Sequence, residues 1–292
     1  MAQRTFGSTG STGKKLAVIE SYLQSYQIAL SRQHFHTMYI DGFAGSGEVP
    51  QRDTSGQLLG NPETQTVLAG SAVRAAEIEP PFDRYVFIEA RRAAIEALRG
   101  RFAAHRRFAS MEFKQGDANA EIQELCAMTS WANTRAIVFL DPFGNQVAWE
   151  TIEVIAATKA IDLWYLFPAG LGVFRQISAD GGVTPEARAS ITRLLGTAEW
   201  ETAFVDTSEE PDLFSDSVER RSRNVTSESV AKFMAGRMNR VFAGGVLDQM
   251  IPLGTRGFPW YYLIFALANP SDRARGLATK LAKGVLKASQ GD

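Results

Sequence analysis

Two short stretches of this chain carry residue types that could do chemistry. Asp141-Pro142-Phe143-Gly144 sets a carboxylate, a proline carbonyl and an aromatic ring in succession after the apolar run Ala136 to Leu140. An amine attached to an aromatic ring is a poor nucleophile, because its lone pair is delocalised into the ring. A carboxylate (Asp141) and a backbone carbonyl (Pro142) that accept its two hydrogens favour a pyramidal nitrogen and aim the lone pair at an electrophile, while Phe143 offers the ring an apolar face. The second stretch, Thr37 to Gly47, is an apolar run that ends in Asp41 and turns through Gly42-Phe43-Ala44-Gly45-Ser46-Gly47. Gly42, Gly45 and Gly47 permit positive φ and let backbone N–H groups approach a ligand closely.

Two more apolar runs end in acids. Arg84 to Ile88 leads to Glu89, and Met111 to Lys114 leads to Gly116-Asp117-Ala118-Asn119. In an open α/β sheet, ligands sit beyond the carboxyl ends of the strands. If these runs are parallel strands, Asp41, Glu89, Asp117 and Asp141 share one rim. A nucleoside bearing an amino-acid end uses such a rim fully. The glycine turn with Asp41 faces the amino-acid end, Glu89 accepts both ribose hydroxyls, Asp117 and the backbone of Ala118 meet the adenine edge, and Asp141 is left for the accepting group. A single acid at a strand end is as well explained as a helix cap or loop residue, so the reading rests on the four together. Glu89 also lies farther from the turn than the ~20 residues of a simple unit; the polar stretch 49–64 supplies most of the excess.

The elements that must position these residues follow from periodicity. Leu16, Ile19, Leu23, Tyr26 and Leu30 recur at helical spacing over residues 14–31. Strand one and its turn follow, then a turn-rich loop over 49–64 and a delayed, alanine-rich helix over 70–78. Strand two (84–89), a helix (90–105), strand three (111–114), a helix (120–128), strand four (136–140), a helix (148–158) and strand five (161–167) then alternate. That alternation means a parallel sheet covered on both faces. After Pro168 it breaks. Residues 169–245 read as a mainly helical insertion, with helices near 184–195 and 227–242 around an acidic, Ser-rich stretch at 206–216. Val246 to Leu253 and Trp260 to Ala268 form an antiparallel hairpin across Gly254-Thr255-Arg256-Gly257, and a helix over 271–287 closes the chain.

Five parallel units ending in an antiparallel hairpin match the α/β, Rossmann-like sheet of class I methyltransferases, which makes S-adenosylmethionine the cofactor expected on the rim. The predicted division is a flexible tail (1–13), a methyltransferase-like domain (14–168 and 246–292) and the insertion (169–245). A dinucleotide dehydrogenase would more often continue into a second mononucleotide-binding half.

The chain has 292 residues, 45% hydrophobic, and a net charge of −1, so no global positive field draws nucleic acid or anionic lipid. One cysteine, Cys126, excludes an internal disulfide and a Cys-based metal site and suits a reducing cytoplasm. His34, His36 and His105 are too scattered for a metal centre, and no apolar run reaches the ~18 residues of a membrane span. Arg91, Arg92, Arg99, Arg101, Arg106 and Arg107 cluster on and after one helix; a solvated outer face explains them, and phosphate binding is the alternative. Lys232, Arg237 and Arg240 are a second such group. Trp164, Tyr165 and Phe167 read as core that could also line a base pocket.

On Tyr39-Ile40-Asp41-Gly42-Phe43-Ala44-Gly45, Gly70-Ser71, Phe87-Ile88-Glu89, Gly116-Asp117-Ala118-Asn119 and Phe139-Leu140-Asp141-Pro142-Phe143-Gly144, the chain resembles the three-Cys-motif partner proteins, a methyltransferase-like family. The resemblance covers residues 14–168 and the C-terminal hairpin. It implies a class I fold and an S-adenosylmethionine site, and leaves the substrate open. The Asp-Pro-Phe-Gly string is also similar to that of tRNA guanine-N2 dimethyltransferases. It is a looser relative of the Asp-Pro-Pro-Tyr motif of nucleic-acid adenine methyltransferases, from which it departs at Phe143 (a second proline there) and Gly144 (a stacking aromatic there). The expectation is an N-methyltransferase acting on an aromatic exocyclic amine, with a nucleobase in RNA or DNA as its target. A peptide or small-molecule methyltransferase and a non-catalytic, cofactor-binding partner of another protein are the alternatives.

Overall fold

The computed structural model describes residues 9–50, 67–210, 218–255 and 258–272, together with 275, 276, 279, 280 and 283. Helix α1 (Thr9–Leu30) starts inside the expected tail, so residues 9–13 are helical; residues 1–8 lie outside the described residues. Thr, Gly and Ser are weak helix formers, and it is the packing of Val18, Ile19, Tyr22, Leu23 and Tyr26 into the core that sustains the helix through them.

The alternating region forms much as expected. It comprises β1 (His36–Asp41), β2 (Glu48–Pro50), β3 (Val67–Ala69), α2 (Ser71–Ala76), β4 (Arg84–Glu89), α3 (Arg92–Phe102), β5 (Met111–Gln115), α4 (Ala118–Met128), β6 (Thr134–Leu140), α5 (Trp149–Ala157) and β7 (Ile161–Phe167). The expected loop at 49–64 falls outside the described residues except for its first two, which pair in β2 against β3, Val49 opposite Leu68. A turn of π-helix at Ala169–Val173 follows β7. Then come α6 (Pro185–Leu195), α7 (Trp200–Phe204), β8 (Val205–Glu210), β9 (Val218–Arg223), α8 (Ser227–Val241), β10 (Gly245–Val246), β11 (Ile251–Thr255) and β12 (Phe258–Leu267). The closing helix expected over 271–287 is helical at Asp272, Arg275, Gly276, Thr279, Lys280 and Lys283; its other residues after Asp272 lie outside the described set.

The main sheet runs β5-β4-β1-β6-β7-β12, with β10 and β11 side by side along the outer edge of β12. Strands β1, β4, β5, β6 and β7 are parallel, Asp41 standing opposite both Phe87 and Phe139. Strand β12 is reversed against β7, Tyr262 opposite Phe167. The expected continuous strand over 246–253 is broken in two, because exposed Asp248 and Gln249 leave the ladder between β10 and β11. Alternate residues of the buried strands feed two hydrophobic layers. Tyr39, Phe87, Phe139 and Phe265 pack under α1, α2 and α3, and Ile40, Val138, Tyr165 and Ile264 pack under α4, α5 and α8.

The region expected as an insertion holds α6, α7 and α8 together with the β8–β9 pair. Val230, Ala231, Met234 and Met238 of α8 lie in the same buried layer as Tyr262 and Ile264, so α8 covers the sheet itself. Helices α6 and α7 extend that layer through Ile191, Leu194, Leu195, Trp200 and Phe204. The described part of the acidic stretch, residues 206–210, lies in β8, which pairs with β9 in a two-stranded ribbon, Ser208 opposite Arg220.

Candidate functional site

The last residues of the five parallel strands lie along one edge of the sheet, which brings the glycine turn, Glu89, Asp117 and the Asp-Pro-Phe-Gly turn to a common rim. The glycine turn is rigidly held. Gly42 N–H donates to the Phe139 carbonyl (3.0 Å), Ala44 N–H to the Ile88 carbonyl (2.9 Å) and Gly45 N–H to Glu89 Oε2 (3.1 Å). Gly45 and Gly47 adopt φ of +60° and +78°, which L side chains rarely tolerate. A Cβ on Gly42 would lie 2.7 Å from Leu140 Cδ2 and one on Gly47 2.6 Å from Leu98 Cδ1, whereas one on Gly45 would meet nothing within 4 Å among the described residues. Gly42 and Gly47 thus face packed structure, and Gly45 faces open space.

Asp41 does not reach that open side, which corrects its expected place beside a ligand's amino-acid end. It is 0% exposed and accepts hydrogen bonds from Ser71 Oγ (2.6 Å), Tyr39 OH (3.2 Å) and the Phe43 N–H (3.2 Å). The side chain holds the turn from within, and the N–H groups of residues 42–45 are likewise spent on acceptors in the fold. Burial pushes its carboxyl up to about 6, against the pull of the Ser71 and Phe43 hydrogen bonds, with the charge of Asp141 adding to the rise. A carboxyl raised from 3.8 to about 6 on folding binds more protons in the native state across that window. Its stabilising contribution is complete below pH ~4 and is lost as pH rises through 6, by up to about 3 kcal/mol. Asp41→Asn is therefore expected to flatten the fall in urea-unfolding free energy between pH 4 and 7. An unaltered slope would show that the carboxyl titrates normally.

Glu89 is only 11% exposed, and Arg91 donates to its Oε1 through both its backbone N–H (2.9 Å) and Nε (3.0 Å). Asp117 is exposed and caps α4, its Oδ1 accepting from the Asn119 (3.0 Å) and Ala120 (3.2 Å) N–H groups, while Ala118 is buried. The helix-cap explanation for Asp117 is thus realised at a residue that also stands on the rim. In the Asp-Pro-Phe-Gly turn Pro142 is buried, Phe143 is 58% exposed and Gly144 has φ of +66°. Asp141 is half-buried, and its charge also acts on Tyr261, whose hydroxyl burial pushes up to about 12.

Sequence reasoning assigned no role to three residues that hold this turn. Asn119 donates to the Gln146 carbonyl (2.9 Å) and accepts from the Ala148 N–H (2.8 Å) and Thr151 Oγ1 (2.9 Å). Asn145 donates to the Gly172 carbonyl (2.7 Å) and Ser190 Oγ (3.0 Å), and Arg193 donates to the Asn145 carbonyl (2.5 Å). Asn119 stood in the quoted Gly-Asp-Ala-Asn string, whereas the partners of Asn145 and Arg193 are too distant in sequence for any local signal.

The arginine cluster is largely spent within the fold. Arg91 binds Glu89, Arg101 binds Glu48 (2.7 Å), Arg106 and Arg107 bind Glu79, and Arg99 donates to the Phe113 carbonyl (3.2 Å). In the second group Lys232 pairs with Glu228 (2.7 Å) and Arg237 lies over Trp149. Two grooves lie off the rim. One of ≈ 720 Å³ runs along α6 beside Glu150, Arg188 and Arg193, and one of ≈ 470 Å³ opens at the amino ends of β1 and β4 beside His36, Asp83 and Met128. Among the described residues no group of three His, Cys, Asp or Glu could hold a metal ion, and no helix is long and apolar enough to cross a membrane.

The sheet order, with one reversed strand inserted between β7 and the outer edge, is that of the class I, Rossmann-like methyltransferase fold. No family model and no curated protein matches the chain. Among solved structures, a Legionella pneumophila protein of the family DUF519 superposes with a TM-score of 0.50 at 10% identity, over 98% of this chain and 95% of its own. The N-terminal domain of EvdMO1 with SAH bound gives a TM-score of 0.38 at 10% identity, over 86% of this chain and 81% of that one. Mitomycin 7-O-methyltransferase MmcR gives 0.34 at 10% identity, over 86% and 54%. At these identities the likeness is one of fold.

Proposed function

We propose that the chain is an S-adenosylmethionine-dependent N-methyltransferase acting on an exocyclic amine of a nucleobase in RNA or DNA. One observation carries the reading. The open Gly45 face, tied to Glu89, and the half-buried Asp141 beside exposed Phe143 end neighbouring strands of one sheet. The rim fits the cofactor: Gly45 leaves space where a Cβ would stand, and Glu89 adjoins it as an acceptor. The side of the turn at Gly45 would lie against the amino-acid end, Glu89 would take the ribose hydroxyls, and Asp117 with the Ala118 backbone the adenine edge. When bound, S-adenosylmethionine supplies an activated methyl group on a sulfonium. The chain's own part is to place the acceptor: Asp141 and the Pro142 carbonyl take the two amine hydrogens, and Phe143 lies against the base. A base within a duplex must flip out to reach them.

The resemblance to three-Cys-motif partner proteins supports the same rim, and with it a second reading as a non-catalytic partner of another protein. Gly144 favours that reading, since it leaves no aromatic where adenine methyltransferases carry one. Titration calorimetry with S-adenosylmethionine and with NAD, followed by labelled methyl transfer to total RNA, DNA and protein, tests the proposal. Cofactor binding with label in nucleic acid is the expected result. Label in protein alone would overturn the substrate, and binding without transfer would favour the partner reading.

A further inference from the structure

We infer that the rim continues past the Asp-Pro-Phe-Gly turn into a stacking surface for single-stranded nucleic acid, built on Arg175 and Trp260. This deepens the proposed function and rests on it. The surface is reached from the turn by direct contacts. Asn145 donates to the Gly172 carbonyl in the π-helical turn, and the neighbouring Gly170 lies so close to β12 that a Cβ would stand 2.6 Å from the Pro259 carbonyl and 2.9 Å from Phe258 Cε1. β12 enters the sheet at this edge, because it is reversed against β7. Its first residues, Phe258 and Trp260, therefore stand beyond the carboxyl end of β7, which Tyr262 already pairs, two strand spacings or about 10 Å across the sheet from β6 and farther out along the strand direction.

The side chains there are arranged as planes. The exposed Arg175 guanidinium lies 4.2 Å over the half-buried Trp260 ring, and Phe258 meets Trp260 edge-on with centroids 4.5 Å apart. Phe174 packs on Phe258 (5.3 Å) and carries Arg223 over its other side (4.0 Å). Arg223 is committed to the fold, donating to the Ile177 (2.7 Å) and Phe174 (3.3 Å) carbonyls. Arg175 differs. It lies over an aromatic ring and is exposed. An aromatic-backed guanidinium stacks on a base through its plane and bonds phosphate through its edge, and such surfaces hold single strands with little sequence preference. A peptide or small acceptor bound at Asp141 has no need of it. A strand whose target base enters at Asp141 would run several nucleotides along this edge to meet Arg175 and Trp260. The whole-chain charge of −1 argues for a local surface of this kind rather than a broad basic face.

The test uses the full chain, fluorescein-labelled 12-nucleotide single strands of RNA and of DNA, and the same sequences as duplexes, with anisotropy read at two salt concentrations. Arg175→Glu and Trp260→Ala are expected to weaken single-strand binding about tenfold or more, the loss of one stacked base. S-adenosylmethionine binding by calorimetry should stay unchanged, as should transfer to a free nucleoside. Arg175 is exposed, so its variant tests the surface even if Trp260→Ala unfolds. RNA and DNA weakened alike would mark a sugar-blind surface, and one weakened alone would name the natural strand; both support the inference. Wild-type binding that Arg175→Glu leaves intact overturns the surface while sparing the proposed function. Cofactor binding without affinity for either strand overturns both the surface and the nucleic-acid substrate, and loss of cofactor binding in the wild type rejects the proposed function on its own.

Discussion

Asp141→Ala is expected to lower methyl transfer by at least about 100-fold while leaving S-adenosylmethionine affinity within about threefold. In the proposed reaction the carboxylate accepts an amine hydrogen as the nitrogen turns its lone pair on the electrophile, and removal of one such preorganised partner costs about 10²–10³ in kcat. Cofactor affinity should hold because the parts assigned to it, the backbone around Gly45 and the Glu89 carboxylate, end other strands, β1 and β4. Asp141→Asn, which keeps one acceptor oxygen and loses the charge, should fall between the two. The measurement is single-turnover transfer to nucleic acid at saturating cofactor. Equal rates for Asp141→Ala and wild type would remove Asp141 from the chemistry.

Gly47→Ala is expected to cost stability, and Gly45→Ala to cost cofactor affinity, although the two glycines lie two positions apart in one turn. Both take positive φ, which costs an alanine about 1–2 kcal/mol. At Gly47 the methyl would also press on Leu98 Cδ1 at 2.6 Å and Val73 Cγ2 at 3.2 Å, and such overpacking adds roughly 1–3 kcal/mol. The sum, about 2–5 kcal/mol, is a large part of a typical folding free energy and should lower Tm by roughly 5–15 °C. At Gly45 the methyl meets nothing among the described residues and would stand on the open face. Cofactor binding there should fall more than tenfold while Tm drops by only a few degrees. Thermal melts and calorimetry on the two variants separate the effects; the reverse pattern would mean that Gly45 does not face the ligand.

The parallel core was legible because its strands are buried on both faces. Runs such as Ala136 to Leu140 and Ile161 to Phe167 are then continuously apolar and bounded by turn residues. The β8–β9 ribbon escaped notice for the opposite reason. Its strands carry Asp206, Glu209, Arg220 and Arg221, so neither shows the alternation of a half-buried strand. Helix α8 was legible as a helix while the surface it packs on was not, since an apolar stripe shows that a surface is covered but not which one. At the rim, sequence marked the acids without telling solvent from interior. Asp41 and Asp141 look alike as strand-ending acids, yet one is sealed under Ser71 and Tyr39 and the other borders an exposed ring. Which acid is buried depends on side chains tens of residues away, and no local pattern encodes that.

Asn119 has an outcome that neither strand end has alone. Its amide spans from the first turn of α4, where Asp117 and Ala118 stand, to Gln146, Ala148 and Thr151 behind the Asp-Pro-Phe-Gly turn. Under the proposed function this brace joins the adenine end of the cofactor site to the acceptor turn, so occupancy of the two is expected to be thermodynamically linked, each changing the other's affinity by the same factor. Asn119→Ala should uncouple them, leaving two independent sites on an otherwise unchanged sheet.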